Sequence, residues 1–188
     1  MTNRQPIKTP ALVVAALMAL LACAEADDPV AATPDPAGPT SLRSFDVQGT
    51  GVHFFSTAIT HSAEPTQTGQ RLRSTDIIRL EGDLDGFVLY HPTTVIDGAA
   101  GTMTNTGTQI FSGTIAGSDP VILHDDRFEF TVDLETGATL GRVYLGRSQD
   151  APHPETWFEC ELEIVGTGMT AAGDGLATYT GRCEEMQR

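Results

Sequence analysis

From about residue 41 onward, apolar side chains recur at every second position, and Gly, Asp, Asn or Thr interrupts the run at short intervals. A period of two places successive side chains on opposite faces of a strand, so a chain patterned this way must build sheets. After residue 40 we find no stretch with the 3.6-residue period of an amphipathic helix. Residues 44–60 read as one or two strands, with a bulge or bend at Gly49 to Gly51. Residues 66–97 read as a hairpin: Ile78 and Leu80 share a face, Gly82 to Gly86 turn the chain, and Phe87 and Leu89 return. Residues 101–117 read as another pair around Asn105 to Gly107. In residues 126–148, Phe128, Phe130 and Val132 alternate with polar residues, and Asp133 to Gly137 forms the turn. Val143 and Leu145 then share one face, with Tyr144 on the other. Residues 148–156 form a polar, proline-bearing loop. The GTG or TGT tripeptides at 49, 106 and 166 are spaced irregularly, so they read as turn chemistry and not as a repeat. About eight to ten strands in meander order must either close on themselves or stack, because open edges invite aggregation. The expected fold is all-β, an antiparallel up-and-down β-barrel of about eight strands, with a two-sheet β-sandwich as the alternative.

The last hairpin carries the most detailed expectation. In WFECELEIV (157–165), Phe158, Cys160, Leu162 and Ile164 share one face, and Glu159, Glu161 and Glu163 the other. That is the pattern of a strand with one face buried. The return strand, 176–183, places Ala177, Tyr179, Gly181 and Cys183 together. If Cys160 stands opposite Cys183, then Ile164 meets Tyr179, Glu161 meets Arg182 and Glu159 meets Glu184, with the turn centred near Ala171 and Ala172. The first two of these pairs are favourable across strands. A Cys160–Cys183 disulfide is therefore expected, as suits an oxidising compartment.

The start of the chain reads as an export signal. Arg4 and Lys8 precede a twelve-residue apolar run, Ala11 to Ala22. A bilayer span needs about 20 residues, so the run fits a secretory signal better than a membrane helix. Leu20-Leu21-Ala22-Cys23 resembles a bacterial lipobox, although Leu21 is larger than the usual residue there. The resemblance implies cleavage after Ala22 and lipidation of Cys23. Ala24 in place of aspartate implies the outer membrane or cell surface. The alternative is an ordinary secretory signal and a soluble periplasmic or secreted protein. Residues 23–40 are rich in proline, acids and small side chains and cannot bury enough surface to fold. The expected organisation is a signal peptide (1–22), a disordered tether (23–40) and one β-barrel domain (41–188).

Charge limits the function. Removing residues 1–22 takes away Arg4 and Lys8 and no acid, leaving 9 Lys+Arg against 25 Asp+Glu. Such a chain repels phosphate backbones, which excludes nucleic acid as a partner. The run Gly166 to Gly175 is not a nucleotide loop, since it leads into a strand and lacks a lysine. No GxSxG, HExxH or Cys–His pattern occurs. The densest polar cluster is His124, Asp125, Asp126 and Arg127, whose His and carboxylates suit acid–base work or a metal. The preferred reading is a turn ahead of a strand. His91, before Pro92 at a strand end, could converge with His124 and Asp97 at a barrel mouth. His91, His124, Asp125 and Asp126 are thus the candidate catalytic residues. Asp83 and Asp85 read as a hairpin turn in preference to a calcium loop, and His53 and His61 support nothing specific. No metal or cofactor is expected.

VGTGMTAAGDG (165–175) resembles the GGTGxFxxAxG segment of the allene oxide cyclase and dirigent-like barrels, and EGDLDG (81–86) is similar to a GDL element of some members. Met169 stands near where that family often has Phe, and none of the family's functional residues maps onto this chain. The resemblance implies an eight-stranded antiparallel barrel with an apolar cavity for lipophilic molecules. The leading functional expectation is a lipid-anchored envelope barrel that binds or supports without catalysis, its ligand a small lipophilic molecule. The alternatives are an isomerase or cyclase acting in the cavity, and a surface protein-interaction domain.

Overall fold

The computed structural model describes residues 38–148 and 153–188. The expected signal segment, Cys23, nearly all of the expected tether and residues 149–152 of the polar loop lie outside the described residues. Nine strands follow one another: β1 (Thr40–His53), β2 (Ile59–Pro65), β3 (Gly69–Gly82), β4 (Leu84–Asp97), β5 (Thr102–Ile115), β6 (Val121–Asp133), β7 (Thr139–Leu145), β8 (Thr156–Met169) and β9 (Gly175–Gln187). All pair antiparallel, and the order runs β1-β9-β8-β7-β6-β5-β4-β3-β2. β1 also pairs with β3, from Gly49↔Gly82 to His53↔Ile78. That contact closes eight strands into a barrel and leaves β2 as an extension along the first half of β3. The fold is therefore the barrel, not the sandwich.

The closing seam explains the EGDLDG segment. The Asp83 amide donates to the Gln48 carbonyl at 3.0 Å, and the Gln48 amide donates to Asp83 Oδ2 at 2.8 Å. The buried Tyr179 hydroxyl accepts from the Leu84 amide at 2.7 Å and donates back to the Leu84 carbonyl at 3.1 Å. Gly82 turns the chain at φ +118°; a Cβ on Gly49 would collide with the Glu81 carbonyl and the Tyr179 hydroxyl, and one on Gly82 with the Gln48 and Gly49 backbone. The turn is tighter than the sequence suggests, so β4 begins at Leu84. Its inward set is Leu84, Gly86, Val88 and Tyr90, while Phe87 and Leu89 face outward and are exposed. The Arg79 guanidinium lies 5.1 Å over the Phe87 ring and pairs with Asp85 at 2.5 Å.

Three other expected turns are not turns. β1 runs unbroken through Gly49 to Gly51 and gives way only at Phe54, before a 3-10 turn at Phe55–Thr57. β5 runs unbroken through Asn105 to Gly107. The third tripeptide, Gly166 to Gly168, is a bulge inside β8. Glycine serves ring packing here: a Cβ on Gly107 would strike the Phe128 ring, and one on Gly141 the Phe130 ring. The segment at 124–127 is also not a turn but part of β6, where the register shifts between Gln109↔Asp126 and Phe111↔Leu123. The chain turns earlier, at Ala116 and Gly117, both with positive φ.

The final hairpin has the expected register. Cys160↔Cys183, Glu161↔Arg182, Ile164↔Tyr179 and Glu159↔Glu184 are all partners. The Cys160–Cys183 disulfide is formed and lies fully buried in the barrel. With its cysteines 23 positions apart in sequence, it stabilises the fold by about 3 kcal/mol through the unfolded chain's lost freedom. Around it pack Val47, Leu84, Phe111, Ile115, Leu123, Leu145 and Phe158, all buried.

Candidate functional site

Toward the other end the barrel is hollow. A cavity of about 490 Å³ opens there, lined by all eight strands of the ring, by Phe55 and by the β6–β7 turn. Its presence follows from small side chains at inward positions: Ala177 of β9 lies between Gly51 of β1 and Gly166 of β8. Leu80, Val88, Leu162 and Tyr179 face both the cavity and the packed core and make its floor. The lining is mainly apolar, with Met103, Phe130, Val132 and Ile164 on the walls. It includes no Lys, Arg, Ser or Cys among the described residues.

A row of polar side chains runs in and beside this apolar wall, each on the inward phase of its strand. Asp76 of β3 is opposite Tyr90 of β4, Tyr90 is opposite Gln109 of β5, and Gln109 is opposite Asp126 of β6. All four are buried. His53, the last residue of β1, joins this row from the closing seam: its Nε2 donates to Asp76 Oδ2 at 2.9 Å. Their side chains are 17% and 6% exposed. A carboxylate only accepts, so in the neutral ring Nε2 carries the proton and Nδ1 the lone pair. Rings hold the imidazole on two sides, Phe55 at 4.0 Å and the edge of Tyr90 at 5.1 Å. Tyr90 itself stacks on Phe128 at 4.0 Å. Burial, reinforced by the negative charge of Asp76, pushes the Tyr90 phenol well above its ordinary pKa, so it stays a proton donor. Asn105 Oδ1, on the cavity wall, and Asp76 Oδ1 are buried without a hydrogen-bond partner among the described residues. At the rim the Ser56 amide donates to Asp174 Oδ1 at 3.0 Å, joining the 3-10 turn to the β8–β9 loop. That bond holds the Asp174 carboxyl below its ordinary pKa.

The residues singled out in the sequence are not brought together. His91 faces outward and shares a surface hydrogen-bond chain with Thr75 Oγ1 (3.0 Å) and, beyond it, His61 Nε2 (2.8 Å). Asp97 caps its own turn through the Ala99 and Ala100 amides, both 3.0 Å away. His124 is exposed in the β6 bulge, and the backbone of Asp125 lies in the same bulge. Asp126 turns inward but does not line the cavity; its Oδ1 accepts from the Arg147 amide at 3.0 Å. Burial raises its pKa to about 6, against the pull of the Gly146, Arg147 and Ser148 amides. No group of three potential metal ligands occurs among the described residues.

What the sequence reading passed over is His53, together with Asp76, Tyr90, Asn105 and Gln109. The signal was available in the period-two pattern, because each is a polar group in register with apolar neighbours: His53 with Val47, Asp76 with Ile78 and Leu80, Tyr90 with Val88, Gln109 with Phe111. Compared with protein-family models, curated proteins and solved structures, the chain matches none.

Proposed function

We propose that this chain is a lipid-anchored module of the bacterial cell envelope whose barrel holds a small, neutral, mainly apolar molecule. The observation that carries the reading is the 490 Å³ cavity, apolar on its walls and crossed by a few polar groups. That volume and composition are typical of small-molecule sites. A barrel built only as a scaffold or as a docking surface gains nothing from a hollow half. Among the described residues the lining has no Lys or Arg, and Asp76 pairs with its His53, so carboxylate and phosphate ligands are disfavoured. Anchoring rests on the lipobox resemblance at Cys23. Among the described residues, no helix is long and apolar enough to cross a membrane.

Native mass spectrometry of the purified protein should show a co-purifying neutral lipophilic mass. The neutral dye N-phenyl-1-naphthylamine should gain fluorescence on entering the cavity and lose it when that molecule is added back. The absence of both a bound mass and a dye response would sink the reading. Cys23→Ser should release the protein from membranes; retention there would remove the anchor.

A further inference from the structure

The cavity holds more than a binding surface needs. A histidine that only lined an apolar pocket would satisfy one nitrogen and turn the other away. His53 instead has Nε2 fixed by a buried carboxylate and the ring clamped between Phe55 and Tyr90, while the residue as a whole lines the cavity. Among the described residues, Nδ1 has no hydrogen-bond partner, and it is not one of the buried unpartnered atoms. The same is true of the Tyr90 hydroxyl. One lone pair and one O–H donor are therefore free to meet a ligand in an otherwise apolar space.

We propose that His53, held by Asp76, is a general base that removes a proton from the carbon beside the carbonyl of a small lipophilic ketone, while the Tyr90 hydroxyl donates to the carbonyl oxygen. This rests on the reading of the cavity as a ligand site. The described lining has no serine or cysteine for covalent attack and no lysine for a Schiff base. Proton transfer is the chemistry that a base and a neutral donor can perform on a neutral substrate. In the step, the C–H bond breaks and its electrons form a carbon–carbon π bond. The carbonyl π pair moves to oxygen, where the Tyr90 O–H supports the developing charge. The proton goes to His53 Nδ1, and Asp76 balances the imidazolium. Return of the proton to the same carbon gives exchange, and return to a conjugated carbon gives an isomer. Atoms and electrons balance without an oxidant, a reductant or a metal. Asp76 is a positioning residue here; His53 and Tyr90 are the groups that touch substrate. The other titratable group at the rim is Asp174, bound to the Ser56 amide.

The test uses the full-length protein in D₂O with α-tetralone, a neutral bicyclic ketone that can enolise on one side only. Proton NMR follows loss of the single α-CH₂ signal, and saturation-transfer NMR reports binding separately. The expected result is exchange about 10²-fold or more above buffer containing equimolar imidazole, within the range of general base catalysis. His53→Gln should bring exchange to background while binding persists, Tyr90→Phe should leave a partial rate, and Asp76→Asn should slow exchange and spare binding. Binding without exchange above the imidazole control overturns the inference and leaves the ligand site standing. Failure of the wild-type protein to bind the ketone overturns both. Full exchange in a folded His53→Gln protein overturns the assignment of the base.

Discussion

The two halves of the barrel are built from the same strands yet filled in opposite ways. In the packed half, inward positions carry Leu84, Phe111, Ile115, Leu123, Phe158 and the disulfide, all buried. In the hollow half, the same inward phase carries Gly51, Gly166 and Ala177 on three adjacent strands, with His53, Asp76 and Tyr90 nearby. An ordinary interior is close-packed, and each missing methylene costs stability. The packed half therefore supplies the free energy that lets the other half stay open and hold buried polar groups. The contrast predicts that equal changes in volume have unequal effects at the two ends.

The largest effect is expected at Leu84. It is fully buried, begins β4 and receives the Tyr179 hydroxyl on its own backbone. Leu84→Ala leaves a cavity in a close-packed layer and should cost about 3 kcal/mol or more in urea unfolding. The loss should also loosen the β1–β3 seam, because Asp83 and Tyr179 tie that turn from both sides. A change below about 1 kcal/mol would show that the packed half is no tighter than the hollow one.

Asp126 probes a buried charge on the wall behind the cavity. Its folded-state pKa is raised from 3.8 to about 6 by burial. Between those values the folded protein holds the extra proton, so stability falls as pH rises from about 4 through 6, by an amount on the order of 2–3 kcal/mol. Asp126→Asn keeps an acceptor for the Arg147 amide and removes the charge. It should be more stable than the wild type by about 1–2 kcal/mol at pH 8, with the gap closing below pH 4. Chemical unfolding at pH 4, 6 and 8 checks this. A gap that does not change with pH would mean that the carboxyl is not buried in solution.

Much of the architecture was legible because alternation and turn chemistry are local. The 157–183 hairpin could be set to the residue: one cysteine pairing fixed Ile164 on Tyr179 and Glu161 on Arg182. Glycine was the main source of error. Read as a breaker at 49–51 and 105–107, it proved to leave room for the tip of a neighbouring ring, Tyr179 at Gly49 and Phe128 at Gly107, a contact made across strands and invisible along the chain. The cavity residues were missed for a related reason. His91 and His124 drew attention through proline and acidic neighbours in sequence, yet they face away from the interior. His53 and Asp76 are 23 residues apart and meet only because β1 closes the barrel against β3. Asking which polar residue breaks the apolar phase of its strand would have found them. Asking which polar residues cluster in sequence could not.

Ala177→Phe is expected to have the smallest effect on stability and the clearest effect on binding. Ala177 lies between Gly51 and Gly166, so a benzyl group there extends into open space and not into a packed neighbour. Overpacking a filled core costs about 1–3 kcal/mol, but filling a void removes that penalty and buries apolar surface. The unfolding free energy should change by less than about 1 kcal/mol in either direction. N-phenyl-1-naphthylamine affinity should fall at least about tenfold, since the ring takes up volume that the dye needs. Measured with Leu84→Ala, this pair separates the two halves: one substitution removes stability and the other removes binding. A large loss of stability in Ala177→Phe with binding retained would reverse the contrast, because the half described as hollow would then be the packed one.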